Sequence, residues 1–116
     1  MMRRGEVRLV DFDPVTGSEA NKRRPAVVVS NERANAVAER LGRGAVTVVP
    51  LTSNTTRIFP FQVLVPADQG GLRADSKAHA EQVRSVAVER LGAVLGQIPA
   101  SIMIEIDEAL RLHLDL

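Results

Sequence analysis

Two short polar segments flank apolar, strand-like runs, and their side chains suit a phosphate group. Lys22, Arg23 and Arg24 precede Pro25 at the start of one run, and Thr52 ends another. Proline has no N–H and biases the residue before it toward an extended backbone, which would direct the Arg24 side chain. A guanidinium can bind two phosphate oxygens, and the Thr52 hydroxyl can donate to a third. The pattern suits a phosphate clamp, but from spacing alone a solvated turn and a strand-end cap remain the simpler explanation.

Most other catalytic chemistries lack their residues in this sequence. There is no cysteine, which excludes disulfides, thiolate nucleophiles and cysteine-bound zinc. The only histidines are His79 and His113, so a histidine-rich metal site is not expected. Glycine-rich phosphate loops, nucleophile elbows and HExxH motifs are also absent from the sequence. We therefore expect neither a metal nor a cofactor.

Length and charge narrow the class of protein further. A chain of 116 residues suits one domain, which we expect to span residues 1–116. No apolar run approaches the roughly 20 residues that cross a bilayer, and no signal-peptide pattern follows Met1, so we expect a cytoplasmic protein without membrane contact. Residues 1–60 hold ten Lys and Arg against six Asp and Glu, whereas residues 61–116 hold five against eight. This asymmetry weakly favours a polyanionic ligand at the first half.

The elements that must position the polar segments follow from apolar periodicity. Apolar runs predict strands at residues 5–12, 25–30, 45–52, 61–65, 76–86 and 93–98. One helix is predicted between a capping Asn31 and Gly42, and a terminal helix opens at Pro99. The connections are short and show no βαβ rhythm. We therefore predict an α+β fold, in which helices pack outside a partly closed antiparallel barrel.

The terminal helix carries two apolar strips. One is predicted to face the core and contains Ile102, Met103, Ile106, Leu110 and Leu114. Ile104 and Leu112 lie on a different side of the helix. A monomer could expose these two singly, but a dimer or partner contact would explain both at once, and both explanations stay open.

The sequence also resembles the MazF/PemK toxin family, with motifs in the same order over nearly the whole chain. The matching segments are Gly5-Glu6-Val7, Gly17-Ser18-Glu19, Arg24-Pro25-Ala26-Val27-Val28-Val29, Pro50-Leu51-Thr52-Ser53-Asn54, Asp75-Ser76 and Glu81-Gln82-Val83-Arg84-Ser85-Val86. The resemblance implies an SH3-like barrel of the kind shared with CcdB, a homodimer, and metal-independent cleavage of single-stranded RNA at short sequences. It also implies a cognate, MazE-like antitoxin as partner.

The same resemblance assigns the catalytic residues. The family's catalytic arginine falls on Arg24, its catalytic threonine on Thr52, and Glu19 occupies the position of a loop glutamate. RNA supplies its own nucleophile, so an enzyme needs only to align the 2′-hydroxyl and stabilise the added negative charge. Arg24 or Glu19 is expected to assist proton transfer, leaving a 2′,3′-cyclic phosphate and a 5′-hydroxyl. His79 could serve instead, but a lone histidine in a strand is more often structural.

Base recognition is expected to depend on hydrogen bonds, because the chain has no Trp or Tyr and Phe59 and Phe61 could both be core. The first strand also carries Arg8-Leu9 where many relatives carry aromatic residues. The predicted RNA-binding residues are Ser18, Asn21, Lys22, Arg23, Ser53, Asn54, His79, Gln82 and Arg84.

Two other functions remain open at this point. One is a non-enzymatic DNA gyrase poison in the manner of CcdB, although the Leu112-His113-Leu114-Asp115-Leu116 tail lacks the terminal Trp-Gly-Ile associated with that activity. The other is an RNA-binding module without activity, since arginine and threonine contacts to phosphate explain binding as readily as cutting.

Overall fold

The structure is a computed structural model that describes residues 1–12 and 23–116. Within them lie seven strands and three helices, together with 3₁₀ turns at Ala80–Gln82 and Val88–Arg90. The strands are β1 Glu6–Asp11, β2 Arg23–Val28, β3 Ala45–Thr52, β4 Gln62–Val65, β5 Ser76–His79, β6 Arg84–Ala87 and β7 Leu91–Gln97. The helices are α1 Glu32–Leu41, α2 Ala67–Gly70 and α3 Ala100–Leu114.

The strands form one antiparallel sheet, as the sequence predicts. Its order is β4-β5-β3-β2-β1-β7, and β6 pairs with β3 off this path. Among the described strands, β4 and β7 are not paired with each other, so hydrogen bonding does not close the barrel. The end of α2 instead packs against β7. A Cβ at Gly71, whose φ is +68°, would overlap the carbonyl of Leu95, so this contact requires glycine.

Apolar clusters lie on both faces of the sheet. Val27 and Val49 belong to the cluster under α3, whereas Ala26 and Val48 belong to the cluster with Ala38 of α1. β2 is therefore covered on both faces. The predicted ends of α1 are confirmed, because Asn31 accepts a hydrogen bond from the Ala34 N–H at 2.8 Å and Gly42 is left-handed.

The prediction of one strand over residues 76–86 is wrong. β3 pairs Leu51 with Ala78 and Val48 with Arg84, so three steps along β3 correspond to six along the other segment. The 3₁₀ turn Ala80–Gln82 takes up the three extra residues, and Ala80 packs in the core. The segment is therefore two strands, β5 and β6, on the same partner.

The terminal helix begins after Pro99 as predicted, and its buried face is Ile102, Met103, Ile106 and Ala109. Leu110 packs partly against this cluster. Leu114 does not share the buried face, and the prediction that it does is wrong: its side chain is 48% exposed, because α3 continues beyond the core it covers. No helix in the described part of the chain is long and apolar enough to span a membrane.

Candidate functional site

A groove of about 770 Å³ opens where β2 begins and β3 ends. Its lining combines cationic, hydroxyl and apolar side chains from β1, β2, β3, β7 and the segment that runs from α2 into β5. The lining residues are Leu9, Arg23, Arg24, Pro25, Leu51, Thr52, Ser53, Gly71, Leu72, Arg73, Ala74, Ser76 and Leu95.

The pairing of β2 with β3 brings Arg24 and Thr52 to this groove. The register of β2 and β3 pairs Ala26 with Pro50 and Val28 with Val48. Continued by two residues, this register sets position 24 opposite position 52. Pro25 lies between Arg24 and the residues of β2 that pair with β3. Directly opposed residues of antiparallel strands have their Cβ atoms about 5 Å apart. Arg24 is exposed and Thr52 is half-buried, so both can meet a ligand from solvent.

Among residues 1–12 and 23–116, no group accepts a hydrogen bond from the Thr52 hydroxyl. Its Oγ1 accepts a hydrogen bond from the Asn54 N–H at 3.4 Å, and the Asn54 Oδ1 accepts from the Thr56 N–H at 3.3 Å. Both bonds use oxygen lone pairs, so the Thr52 O–H and the Asn54 NH₂ group can still donate. These two hydrogen bonds hold the loop that follows β3, in which Ser53 and Asn54 are exposed to solvent.

The connection from α2 to β5 forms the other wall, which the sequence did not reveal. Arg73 is exposed there and adds a cation to the groove. Asp75 Oδ1 accepts from the Ala67 N–H at 2.9 Å, and Ser76 Oγ donates to the Ala74 carbonyl at 3.1 Å. Asp75-Ser76 is one of the segments that resemble the toxin family. No local sequence pattern predicts Arg73 as a groove residue, because its position depends on the packing of Gly71 against β7.

Leucines form the apolar part of the groove. Leu9 comes from β1, Leu51 from β3 and Leu95 from β7. The neighbouring Arg8 does not line the groove, because its guanidinium bonds Glu6 Oε1 at 3.0 Å and the Gly92 carbonyl at 2.9 Å. Of the Arg8-Leu9 pair, β1 therefore presents only Leu9 to the groove.

The structure brings together only some of the predicted site residues. Arg23, Arg24, Thr52 and Ser53 line the groove, and Asn54 is exposed next to it. Ser18, Glu19, Asn21 and Lys22 lie outside the described residues. Their predicted roles remain predictions.

His79, Gln82 and Arg84 do not line the groove. Gln82 is exposed in the 3₁₀ turn, and the Arg84 guanidinium lies over the Phe12 ring, 5.1 Å from its centroid. His79 ends β5, with its Nδ1 3.1 Å from Glu81 Oε2. These three positions lie apart from the groove, and their predicted contact with RNA stays a prediction.

Glu81 is held ionised by its neighbours. Partial burial alone would raise the pKa of Glu81, but hydrogen bonds from His79 and Gln62 outweigh it and lower the pKa below 4.5. Gln62 Nε2 donates to Glu81 Oε2 at 2.8 Å. Because an ionised carboxylate only accepts hydrogen bonds, the His79 Nδ1 next to it carries the proton. Within the described residues, no group of three or more histidine and acidic side chains is arranged to hold a metal ion.

The sheet, α3 and the groove together define a small α+β protein with a cationic groove that is open to solvent. The family profile described as "PemK-like, MazF-like toxin of type II toxin-antitoxin system" matches residues 3–114. The chain therefore belongs to the PemK-like, MazF-like toxins of type II toxin-antitoxin systems.

Individual relatives agree with this assignment. The chain is 61% identical over 116 residues to Endoribonuclease MazF9 of Mycobacterium tuberculosis, an alignment that covers 100% of this chain and 98% of the relative. It is 34% identical to Endoribonuclease MazF of Staphylococcus epidermidis, over 100% of this chain and 93% of that protein. In structure it is similar to MazF in the MazE-MazF crystal structure (Form-II) from Deinococcus radiodurans, with a TM-score of 0.74, 26% identity and coverage of 99% and 96%.

Proposed function

We propose that the groove lined by Arg24 and Thr52 is the site at which this endoribonuclease toxin cleaves single-stranded RNA, without a metal ion. The observation that carries the proposal is that a guanidinium and a hydroxyl, those of Arg24 and Thr52, line the same groove although they are far apart in sequence. The relatives named endoribonucleases, one of them 61% identical over the full chain, support the reaction class.

The chemistry requires few protein groups. The 2′-oxygen forms a bond to phosphorus while the bond from phosphorus to the 5′-oxygen breaks. The 2′-hydroxyl loses its proton and the leaving 5′-oxygen gains one, which gives a 2′,3′-cyclic phosphate and a 5′-hydroxyl. Arg24 and Thr52 donate to the non-bridging oxygens, whose charge grows in the transition state. Such donors favour the transition state over the ground state.

Proton transfer is assigned to Glu19 or Arg24. Arginine is a poor base because its pKa exceeds about 12, so it acts best as a donor to the leaving oxygen. A carboxylate at position 19 would be the stronger base toward the 2′-hydroxyl. His79 is disfavoured, because it does not line the groove.

The test is cleavage of a long unstructured RNA in EDTA, followed by mapping of the fragment ends. We expect discrete fragments with 5′-hydroxyl ends, and a loss of about a hundredfold or more in rate for Arg24→Ala and Thr52→Ala. Arg43→Ala and Ser101→Ala are matched controls, because both residues are exposed and neither lines the groove. Intact but gel-shifted RNA would indicate a binding module, and inhibited supercoiling with undamaged RNA would indicate a gyrase poison.

The partners follow from the toxin family. The Deinococcus radiodurans relative was crystallised as MazE-MazF, and we propose that a MazE-like antitoxin blocks this groove through an acidic segment. Binding should then weaken as salt rises, and salt-independent binding would contradict this. We also propose a cytoplasmic homodimer that covers Ile104 and Leu112, which are 59% and 58% exposed on α3. Sedimentation at the mass of one chain would contradict the dimer.

A further inference from the structure

The connection from β3 to β4 carries a stack of planar side chains outside the groove. The rings of Phe59 and Phe61 are nearly parallel, with 4° between their planes and 5.5 Å between their centroids. The Arg57 guanidinium carbon lies 5.5 Å from the Phe59 centroid. Phe59 is 41% exposed, so it is not the core residue that the sequence allows. We call Arg57, Phe59 and Phe61 the aromatic stack.

Buried polar side chains hold the backbone of this stack. Lys77 Nζ donates to the Arg57 carbonyl at 2.6 Å, and Gln62 Oε1 accepts from the Phe59 N–H at 3.0 Å. Lys77 and Gln62 are each only 8% exposed. Lysine is rarely buried to this extent unless it is paired, so these contacts fix the connection in one conformation. A fixed, exposed ring loses little conformational entropy when it binds a ligand.

The stack also lies close to the groove. Lys77 is paired with Thr52 in the register of β5 and β3, and the same Lys77 side chain bonds the Arg57 carbonyl. Arg57 lies five positions after Thr52, which limits the distance between their Cα atoms to about 18 Å even for an extended chain. A single strand of RNA bound at Thr52 can therefore reach the stack within a few nucleotides.

We propose that the aromatic stack is a base-binding subsite for the single-stranded RNA that flanks the scissile phosphate. A base packs against the exposed part of the Phe59 ring and extends the aromatic stack, while the Arg57 guanidinium contributes a cation to the base or to its phosphate. This pairing of a π-face with a cation is how proteins bind single-stranded nucleic acid. The subsite deepens the proposed function, because it presupposes that RNA occupies the groove.

The physical role predicts a specific kinetic signature. Stacking on a flanking base stabilises the bound ground state and the transition state equally. Its loss therefore raises KM and leaves kcat unchanged. The loss of one stacked base weakens binding by roughly tenfold. Because every base has a π-face, the subsite adds affinity with little sequence preference of its own.

The experiment measures steady-state cleavage of a short single-stranded RNA and binding of the same RNA with 2′-O-methyl groups, which block cleavage. Phe59→Leu, which keeps apolar bulk but removes the π-face, should raise KM and Kd roughly tenfold with kcat within about twofold. Ile58→Ala is the matched control, since Ile58 is also 41% exposed in the same connection and has no ring. It should change KM less than about twofold.

A fluorescence measurement reports stacking directly. The chain contains no tryptophan, so Phe59→Trp introduces a single fluorophore and should retain affinity for RNA. Its emission should be quenched when the 2′-O-methyl RNA binds. Leu41→Trp, at an exposed position at the end of α1, is the control and should not be quenched.

The outcomes separate this subsite from the function on which it rests. If the wild type neither binds nor cleaves RNA, the proposed function fails. If the wild type cleaves while folded Phe59→Leu shows unchanged KM and Phe59→Trp shows no quenching, only the subsite is overturned. A Phe59→Leu variant that loses antitoxin binding but keeps its affinity for RNA would also overturn it, because the stack would then bind protein.

Discussion

An arginine lies beside each end of β2, and the two differ in what they contact. Near the end at Val28, Arg4 Nε donates to the Val29 carbonyl at 2.7 Å, and Nη2 bonds Asp107 Oδ1 at 2.6 Å. At the opposite end, Arg24 is exposed and lines the groove, and no hydrogen bond joins its guanidinium to any other residue among 1–12 and 23–116.

The polar residues around the two ends differ in the same way. Asn35 is fully buried behind the Val29 end, where it bonds both the carbonyl and the hydroxyl of Ser30. At the groove, Ser53 and Asn54 are exposed. Polar groups that bond each other stabilise the fold, whereas donors left in solvent can bind a substrate. The comparison therefore separates a structural end of β2 from a functional end.

The largest effect on stability is expected for Asn35→Ala. This change leaves the buried Ser30 carbonyl without its 2.8 Å hydrogen bond from Asn35 Nδ2. It also removes the acceptor of the Ser30 hydroxyl and leaves a small cavity, so we expect a loss of about 3 kcal/mol in the free energy of unfolding. Urea denaturation measures it. Asn54→Ala is the matched control and should stay within about 0.5 kcal/mol of the wild type. Equal losses of unfolding free energy in both variants would contradict the distinction between the structural and the functional end of β2.

A smaller effect separates the two arginines. Arg4→Ala removes an ion pair between half-exposed side chains and a hydrogen bond to a carbonyl, so we expect a loss of about 1 to 2 kcal/mol in unfolding free energy. Arg24→Ala should change stability by less than about 0.5 kcal/mol. Cleavage assays at a temperature where both variants are folded should show the reverse ranking. If Arg4→Ala abolishes cleavage while it remains folded, the structural end is also functional.

Local sequence patterns predict the features of this molecule that depend on residues close together in the chain. The ends of α1 could be predicted because the signals that mark them, Asn31, the apolar spacing and Gly42, lie within one short segment of the sequence. The positions of Arg24 and Thr52 follow from a register of adjacent apolar strands together with family motifs. The place of Arg73 in the groove could not be predicted, because this wall of the groove depends on the contact between Gly71 and β7, which is distant in sequence.

Two other features could not be predicted from local sequence, because they also depend on residues that are distant in the chain. The division of residues 76–86 into β5 and β6 depends on where each pairs with β3, and apolar alternation does not record a shift of three residues. The exposure of Phe59 depends on buried partners, Lys77 and Gln62, that come later in the chain. In both cases tertiary contacts decide the outcome.

The smallest effect is expected at Glu81, whose carboxylate is paired like the groups at the structural end but lies nearer the surface. Its pKa is lowered in the folded protein, so ionised Glu81 stabilises the fold above its unfolded pKa, and this stabilisation is lost as the pH falls through the lower, folded value. From about pH 6 to about pH 3, the wild type should lose more unfolding free energy than Glu81→Gln, which has no charge to lose. Urea denaturation at each pH measures the difference. Parallel curves would mean that folding does not lower the pKa of Glu81, and that its hydrogen bonds with His79 and Gln62 do not favour the ionised carboxylate.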